Sequence, residues 1–118
     1  MIESSEIKPV CWLGDTLKTI RTFPDEVQDD IGHGLFLVQS GLTPKDAKHL
    51  KGFSSVIEIV TRFDAETYRT VYTTKIAEKV YVLHVFQKKS KSGIKTPQQD
   101  IDLITNRLKE AQRREGIK

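Results

Sequence analysis

The sequence predicts one α+β domain over residues 1–118, with an N-terminal helical hairpin, an antiparallel β-sheet of about four strands and a C-terminal helix. Two helical patterns precede three strand-like runs, and a further helical pattern ends the chain. The links between the strand-like runs are only a few residues long, which favours antiparallel hairpins over parallel crossovers. A chain of this length can bury one core but not two.

The N-terminal part of the chain predicts a strand followed by two helices. Residues 8–13 form the strand, and Asp15 can cap a helix that runs through about Thr22. Pro24 suits the first turn of the second helix, and Gly41 is a natural stop. Apolar residues recur every three or four positions and predict its buried face, which consists of Val27, Ile31, Leu35 and Val38.

The rest of the chain predicts the sheet and the last helix. In segment 43–51 we expect a basic loop with a little helix. Thr96 as N-cap and Pro97 at the first position predict a final helix that runs to about Arg114. Its apolar face consists of Ile101, Ile104, Leu108 and Ala111. The strand-like runs cover about 56–63, 68–74 and 79–88.

Composition narrows the class of protein. The chain is 37% hydrophobic and 30% charged, as soluble domains are, and no apolar run approaches the roughly 20 residues that span a bilayer. The first residues include acids where a secretory signal would carry positive charge. We therefore expect a cytoplasmic protein with no membrane partner.

The cysteine and histidine residues give no sign of a metal site. Cys11 is the single cysteine, which excludes an internal disulfide, and its apolar neighbours predict a buried strand position. His33, His49 and His84 are scattered, without CxxC or HxxxH spacing. We predict no metal and no cofactor, and we expect structural roles for His33 and His49.

Positive charge is concentrated where the last strand ends. The net charge of +3 is too small to identify a nucleic-acid-binding protein by itself. From residue 88 to residue 95, however, there are four lysines and no acid: Lys88, Lys89, Lys91 and Lys95. This run predicts a basic surface, with an ordinary solvated turn as the alternative.

Two segments resemble a known family. Thr-Tyr-Arg-Thr-Val-Tyr at 67–72 and Tyr-Val-Leu-His-Val-Phe-Gln-Lys-Lys-Ser at 81–90, separated by one hairpin, resemble the phage-derived HigB-like toxins of the RelE/ParE superfamily. The resemblance extends from about Val10 to Leu108. Shorter matching segments are Trp12–Gly14, Phe23–Val27, Leu50–Phe53, Glu58–Val60 and Thr96–Pro97.

The resemblance implies a toxin that is encoded beside an antitoxin, commonly a helix-turn-helix protein. The antitoxin blocks the toxin and represses their operon, so the toxin would meet operator DNA only through the antitoxin. Many relatives are endoribonucleases that enter the ribosome and cleave mRNA, whereas others act on DNA gyrase. A toxin that inhibits its target by binding alone and a phage-derived remnant without activity are therefore the alternatives.

RNA can be cut without a metal if its own 2′-OH attacks the adjacent phosphate in line and the developing charge is neutralised. In the resembling ribonucleases, an Arg at the position of Arg69 contacts the scissile phosphate, and a guanidinium presents a planar fork to phosphate oxygens. The alternative for Arg69 is an ion pair with Glu58 or Glu66. Lys88 and Lys89 should point to opposite faces of the sheet, and we prefer Lys89 as the second active-site cation because it aligns better with the family.

Other side chains can extend this site. Lys88, Lys91 and Lys95 would attract RNA, and Lys48, Lys51 and Arg62 would extend the basic surface towards ribosomal RNA, with ordinary solvation as the alternative. His84 is a candidate for proton transfer, since imidazole exchanges protons near neutral pH, or for packing within an apolar strand. Tyr72 is a candidate for stacking on a base or for proton transfer, or for packing against a helix. Relatives have a Tyr after the basic strand end, whereas this chain has Ser92-Gly93, so the general acid and base stay open.

Overall fold

The computed structural model describes residues 7–88 and 96–117. Five strands form one sheet in the order β1-β5-β4-β3-β2, with β1 parallel to β5 and all other pairs antiparallel. The predicted α+β class is confirmed. The elements are β1 (Val10–Trp12), α1 (Thr16–Ile20), α2 (Asp25–Gln39), β2 (Ala47–His49), β3 (Ile57–Phe63), β4 (Glu66–Ile76), β5 (Lys79–Lys88) and α3 (Gln98–Arg114).

Two tight hairpins connect β3, β4 and β5 as the short links predicted. Asp64 and Ala65 form the first turn and Ala77 and Glu78 the second, and all four have positive φ angles between 53° and 66°. Two consecutive left-handed residues are typical of type I′ turns, whose twist matches that of the flanking strands. These turns place β4 at the centre of the sheet.

The prediction of a loop with a little helix in segment 43–51 was wrong for residues 47–49. These residues form β2, which pairs with β3 so that Lys48 lies opposite Glu58. The strand has no apolar alternation because it is short and lies at the sheet edge, where a lysine prevents further strand pairing. This strand is the fifth, where about four were expected.

Helices cover both faces of the sheet. One face packs against α2, whose predicted apolar residues Val27, Ile31, Leu35 and Val38 are all buried. The other face packs against α3 through Ile104 and Ala111. Cys11 is partly buried and packs on the α3 side.

The start of α3 lies one residue later than the sequence predicted. Pro97, not Thr96, is the N-cap, and its carbonyl accepts hydrogen bonds from the backbone N–H groups of Asp100 and Ile101. The helix ends at Arg114, as expected. No helix among the described residues has the length and apolar character needed to cross a membrane.

Candidate nucleic-acid interface

Strand register brings most of the predicted polar residues to the α3 side of the sheet. Residues directly opposite one another share a face, and alternate residues along each strand do so too. The pairing therefore gives three adjacent cross-strand rows on this face. We call their polar members the charged face: Lys48, Glu58, Arg62, Arg69, His84 and Lys88.

Arg69 is buried on this face and forms an ion pair. Its Nη1 donates a hydrogen bond of 2.9 Å to Glu58 Oε1, and the two side chains are 9% and 4% exposed. The Nε of Arg69 is buried and has no hydrogen-bond partner among the residues that the structure describes. The ion pair that the sequence left as the alternative is present, and a guanidinium with a spare donor lies at the centre of the sheet.

Glu58 lies between two cations. Its Oε2 is 3.9 Å from the Nζ of Lys48, a side chain that is 61% exposed, while its Oε1 binds Arg69. A carboxylate and a phosphate are both oxyanions that arginine binds through parallel N–H groups. Glu58 therefore accepts from Arg69 a hydrogen bond that a phosphate oxygen could accept in its place.

Lys88 lies on the same face as Arg69. Burial lowers the pKa of Lys88, and the positive charge of Arg69 lowers it further. The structure thus places Lys88 close enough to Arg69 for their charges to interact. Lys89, Lys91 and Lys95 lie outside the described residues, and their roles stay predictions.

His84 joins the sheet to α3. Its Nε2 lies 2.7 Å from Asp100 Oδ1, and its ring stacks on Phe86 at a centroid distance of 4.8 Å. The side chain of His84 is therefore both packed and hydrogen-bonded, and a carboxylate orients its ring. Sequence reasoning missed Asp100 because an acid in the first turn of a helix has a sufficient explanation in the helix dipole.

The exposed cations lie around a groove. A cavity of about 450 Å³ separates β2 and the turn after it from the start of α3, and Glu58 lies on its wall. Arg62 lines a smaller recess with Lys48 on the β2 side. The groove is also lined by Lys48, His49, Leu50, Lys51, Gln98 and Ile101. RNA contacts of Lys48, Lys51 and Arg62 stay predictions.

Tyr72 does not lie on the charged face. It is 2% exposed and belongs to the core that packs against α2, on the opposite side of the sheet. Burial raises the pKa of Tyr72 to about 12. Tyr72 therefore has the packing role. The prediction that it stacks on an RNA base was wrong, because its ring is buried.

Metal ligands do not converge on this face. In the described part of the chain, no three His, Cys, Asp or Glu side chains lie close enough to hold an ion. The arrangement consists of buried and exposed cations, one carboxylate between them and an oriented imidazole. Such groups can bind a phosphate and exchange protons beside it.

Comparison with known proteins agrees with this fold. The family described as "Phage derived protein Gp49-like (DUF891)" matches residues 18–109. No curated protein matches the chain. A solved structure of a double mutant of the E. coli toxin RelE in the free state has 20% sequence identity and a TM-score of 0.56, and the match covers 88% of this chain and 97% of that chain. This likeness confirms the RelE fold. The chain belongs to the phage-derived Gp49-like family, and it has the fold of the toxin RelE.

Proposed function

We propose that the protein is the toxin of a toxin–antitoxin pair and a metal-independent endoribonuclease that cleaves mRNA on the ribosome and so inhibits translation. The observation that carries the proposal is the shared face of Arg69, Lys88 and His84, with the Glu58 carboxylate bound to Arg69. An antitoxin of the helix-turn-helix type would be its partner. The family match and the RelE fold support the toxin assignment.

The charged face can supply each part of the reaction. The RNA 2′-oxygen attacks the adjacent phosphorus, the bond to the 5′-oxygen breaks, and a 2′,3′-cyclic phosphate forms. Arg69 and Lys88 would bind the non-bridging oxygens, which carry the developing charge. An arginine fork and a nearby ammonium group hold a phosphate without help from a metal.

Two groups on this face can move the protons. If the phosphate takes the place of Glu58 on Arg69, the released carboxylate can accept the 2′-OH proton. His84, oriented by Asp100, can donate a proton to the leaving 5′-oxygen. This assignment fills the acid and base roles that the sequence left open.

The test is induced expression in a bacterium with mapping of transcript ends, followed by cleavage of mRNA on purified ribosomes. Arg69→Lys keeps a positive charge beside Glu58 but removes the fork, so we expect cleavage to fall while the protein stays folded. Arg113→Ala is the matched control, because Arg113 is an exposed arginine of α3. Intact transcripts together with inhibited DNA gyrase would refute the nuclease proposal.

The antitoxin is tested separately. We expect a neighbouring reading frame to encode a small helix-turn-helix protein that copurifies with this chain and prevents growth inhibition. Failure of every neighbouring product to bind the chain would contradict the toxin assignment, whatever the outcome with RNA.

A further inference from the structure

We propose that the groove between β2 and α3 binds one RNA base beside the phosphate held by Arg69, and that Gln98 reads the edge of an adenine there. The inference rests on the proposed function and adds a base-binding site to it. Arg69 and Lys88, the cations that would hold the phosphate, do not line the groove, and part of the groove lining is apolar.

One side chain, Glu58, connects the groove to the phosphate-binding residue Arg69. Glu58 lines the groove, and its Oε1 accepts the 2.9 Å hydrogen bond from Arg69 Nη1. Its other oxygen lies 3.9 Å from Lys48 Nζ at the groove rim. A phosphate bound to Arg69 therefore lies at the inner wall, and the neighbouring nucleotide can enter the groove.

The lining fits a flat ring with an anionic backbone. Leu50 and Ile101 provide an apolar wall, and the exposed imidazole of His49 can stack on a base. Lys48 and Lys51 provide positive charge at the opening for the adjoining phosphates. The volume of about 450 Å³ lies within the range of about 300–1,000 Å³ that is typical of small-molecule sites.

Gln98 gives the groove a polar reader. It is exposed in the first turn of α3, and its Nε2 donates a 2.9 Å hydrogen bond to Asp102 one turn later, which holds the amide at the rim. An amide offers one donor and one acceptor side by side, which match the N7 acceptor and the N6 amino donor of adenine. Guanine presents two acceptors at the same positions, so the amide discriminates against it.

The binding test uses purified protein and the four nucleoside 5′-monophosphates, followed by NMR. We expect AMP to bind most tightly and to shift the side-chain amide signals of Gln98. Gln98→Ala should lower the preference for AMP over GMP by about tenfold. Asn106→Ala is the matched control, because Asn106 is an exposed amide further along the same helix, and it should leave the preference unchanged.

The outcomes separate this inference from the proposed function. If nucleotides shift the signals of Arg69 and Lys88 but not those of Gln98 and Ile101, the base site is refuted and the phosphate site stands. If no nucleotide binds at any of these residues, the base site is refuted, and the proposed function is tested separately by cleavage of mRNA on ribosomes. Mapped transcript ends give a second readout: Gln98→Ala should relax the base preference beside the cut. An unchanged preference would overturn the inference.

Discussion

Arg69 and Glu58 form an ion pair inside the protein, 2.9 Å from Nη1 to Oε1, at the place where the sequence predicted a phosphate clamp. Burial of two opposite charges has a large desolvation cost, which their attraction offsets only while both are present. The same low-dielectric surroundings strengthen the attraction of Arg69 for any anion that replaces Glu58. The pair therefore links the stability of the sheet to the binding of RNA.

Removal of Arg69 alone should destabilise the fold strongly. Arg69→Ala leaves Glu58 buried without its strongest partner, and we expect a loss of roughly 3–5 kcal/mol in the free energy of unfolding. Arg69→Met combined with Glu58→Gln removes both charges and should recover most of the loss. Urea denaturation measures both effects. If the single and the double variants were equally stable, the pair would not have the role we assign to it.

Glu58→Gln should increase RNA affinity while it slows cleavage. The neutral amide competes with a phosphate for Arg69 less well than the carboxylate does, and it cannot accept the 2′-OH proton. Fluorescence anisotropy with 2′-O-methyl RNA, which cannot be cut, measures the affinity. Glu110→Gln is the control, because Glu110 forms ion pairs with arginines on the far part of α3. Weaker binding by Glu58→Gln would show that the carboxylate does not compete with RNA.

As pH rises, the affinity for RNA should begin to decline at a pH below the pKa of an ordinary lysine. Burial and the charge of Arg69 lower the pKa of Lys88, and the side chain is cationic only below that pKa. Binding should therefore weaken as pH rises through the lowered value, which lies below the usual value of about 10.4. The folded state disfavours the charged form of Lys88. The free energy of unfolding should therefore rise as pH rises from the lowered pKa to the usual one.

Lys88→Arg tests this dependence, because arginine stays charged throughout that range. The difference between the wild type and Lys88→Arg in anisotropy titrations, measured at increasing pH, isolates the contribution of Lys88 from that of the other lysines. Identical pH profiles would remove Lys88 from the phosphate site.

The sequence predicts the elements whose pattern is local. The apolar period of α2, the helix start to within one residue of Pro97 and the short links between the last three strands each follow from neighbouring residues. β2 could not be predicted in the same way. Its three residues have no alternation of apolar and polar side chains, and the strand forms because its backbone pairs with the edge of β3.

The candidate site depends on tertiary contacts that composition does not show. Glu58 was one of two possible partners of Arg69, and only the register between β3 and β4 selects it. His84 and Asp100 are 16 residues apart, and they meet because α3 packs back across the sheet. The burial of Tyr72 depends on which face of β4 packs against α2. The two-residue period of a strand predicts which side chains share a face, but it does not predict which element packs against that face.

Gly14 should not tolerate a side chain. Its φ is +56°, and a Cβ there would lie 2.5 Å from Nη2 of Arg107. That guanidinium also bonds the Leu83 carbonyl, at 3.0 Å, and the Asp15 carboxylate, at 3.3 Å. Gly14→Ala therefore combines backbone strain of about 1–2 kcal/mol with displacement of Arg107.

The matched control for Gly14 is Gly32, which is exposed in α2. A Cβ added at Gly32 would meet no other part of the described chain within 4 Å. Gly32→Ala should stabilise the protein by about 0.5–1 kcal/mol. Thermal unfolding of both variants measures the contrast. Equal shifts in the same direction would show that Gly14 has no special conformational role.

Glu115→Gln should remove a pH-dependent contribution to stability at the end of α3. Glu115 accepts hydrogen bonds from Lys79, at 2.7 Å, and from the Tyr81 hydroxyl, and these bonds lower the pKa of Glu115. A lowered carboxyl pKa stabilises the fold above the unfolded value of about 4.3, and the contribution is lost as pH falls through the folded value. The pKa of Lys79 is raised, mainly by the same hydrogen bond, so its contribution is lost only as pH rises through that raised value.

The wild type should therefore exceed Glu115→Gln in Tm by the largest margin between these two limits, and the margin should shrink in acid and in strong alkali. Asp102→Asn is a control, because Asp102 is an exposed acid at the other end of the same helix. Thermal unfolding monitored by circular dichroism across this pH range measures the margin. A margin that does not change with pH would mean that Glu115 stabilises α3 by packing rather than by charge.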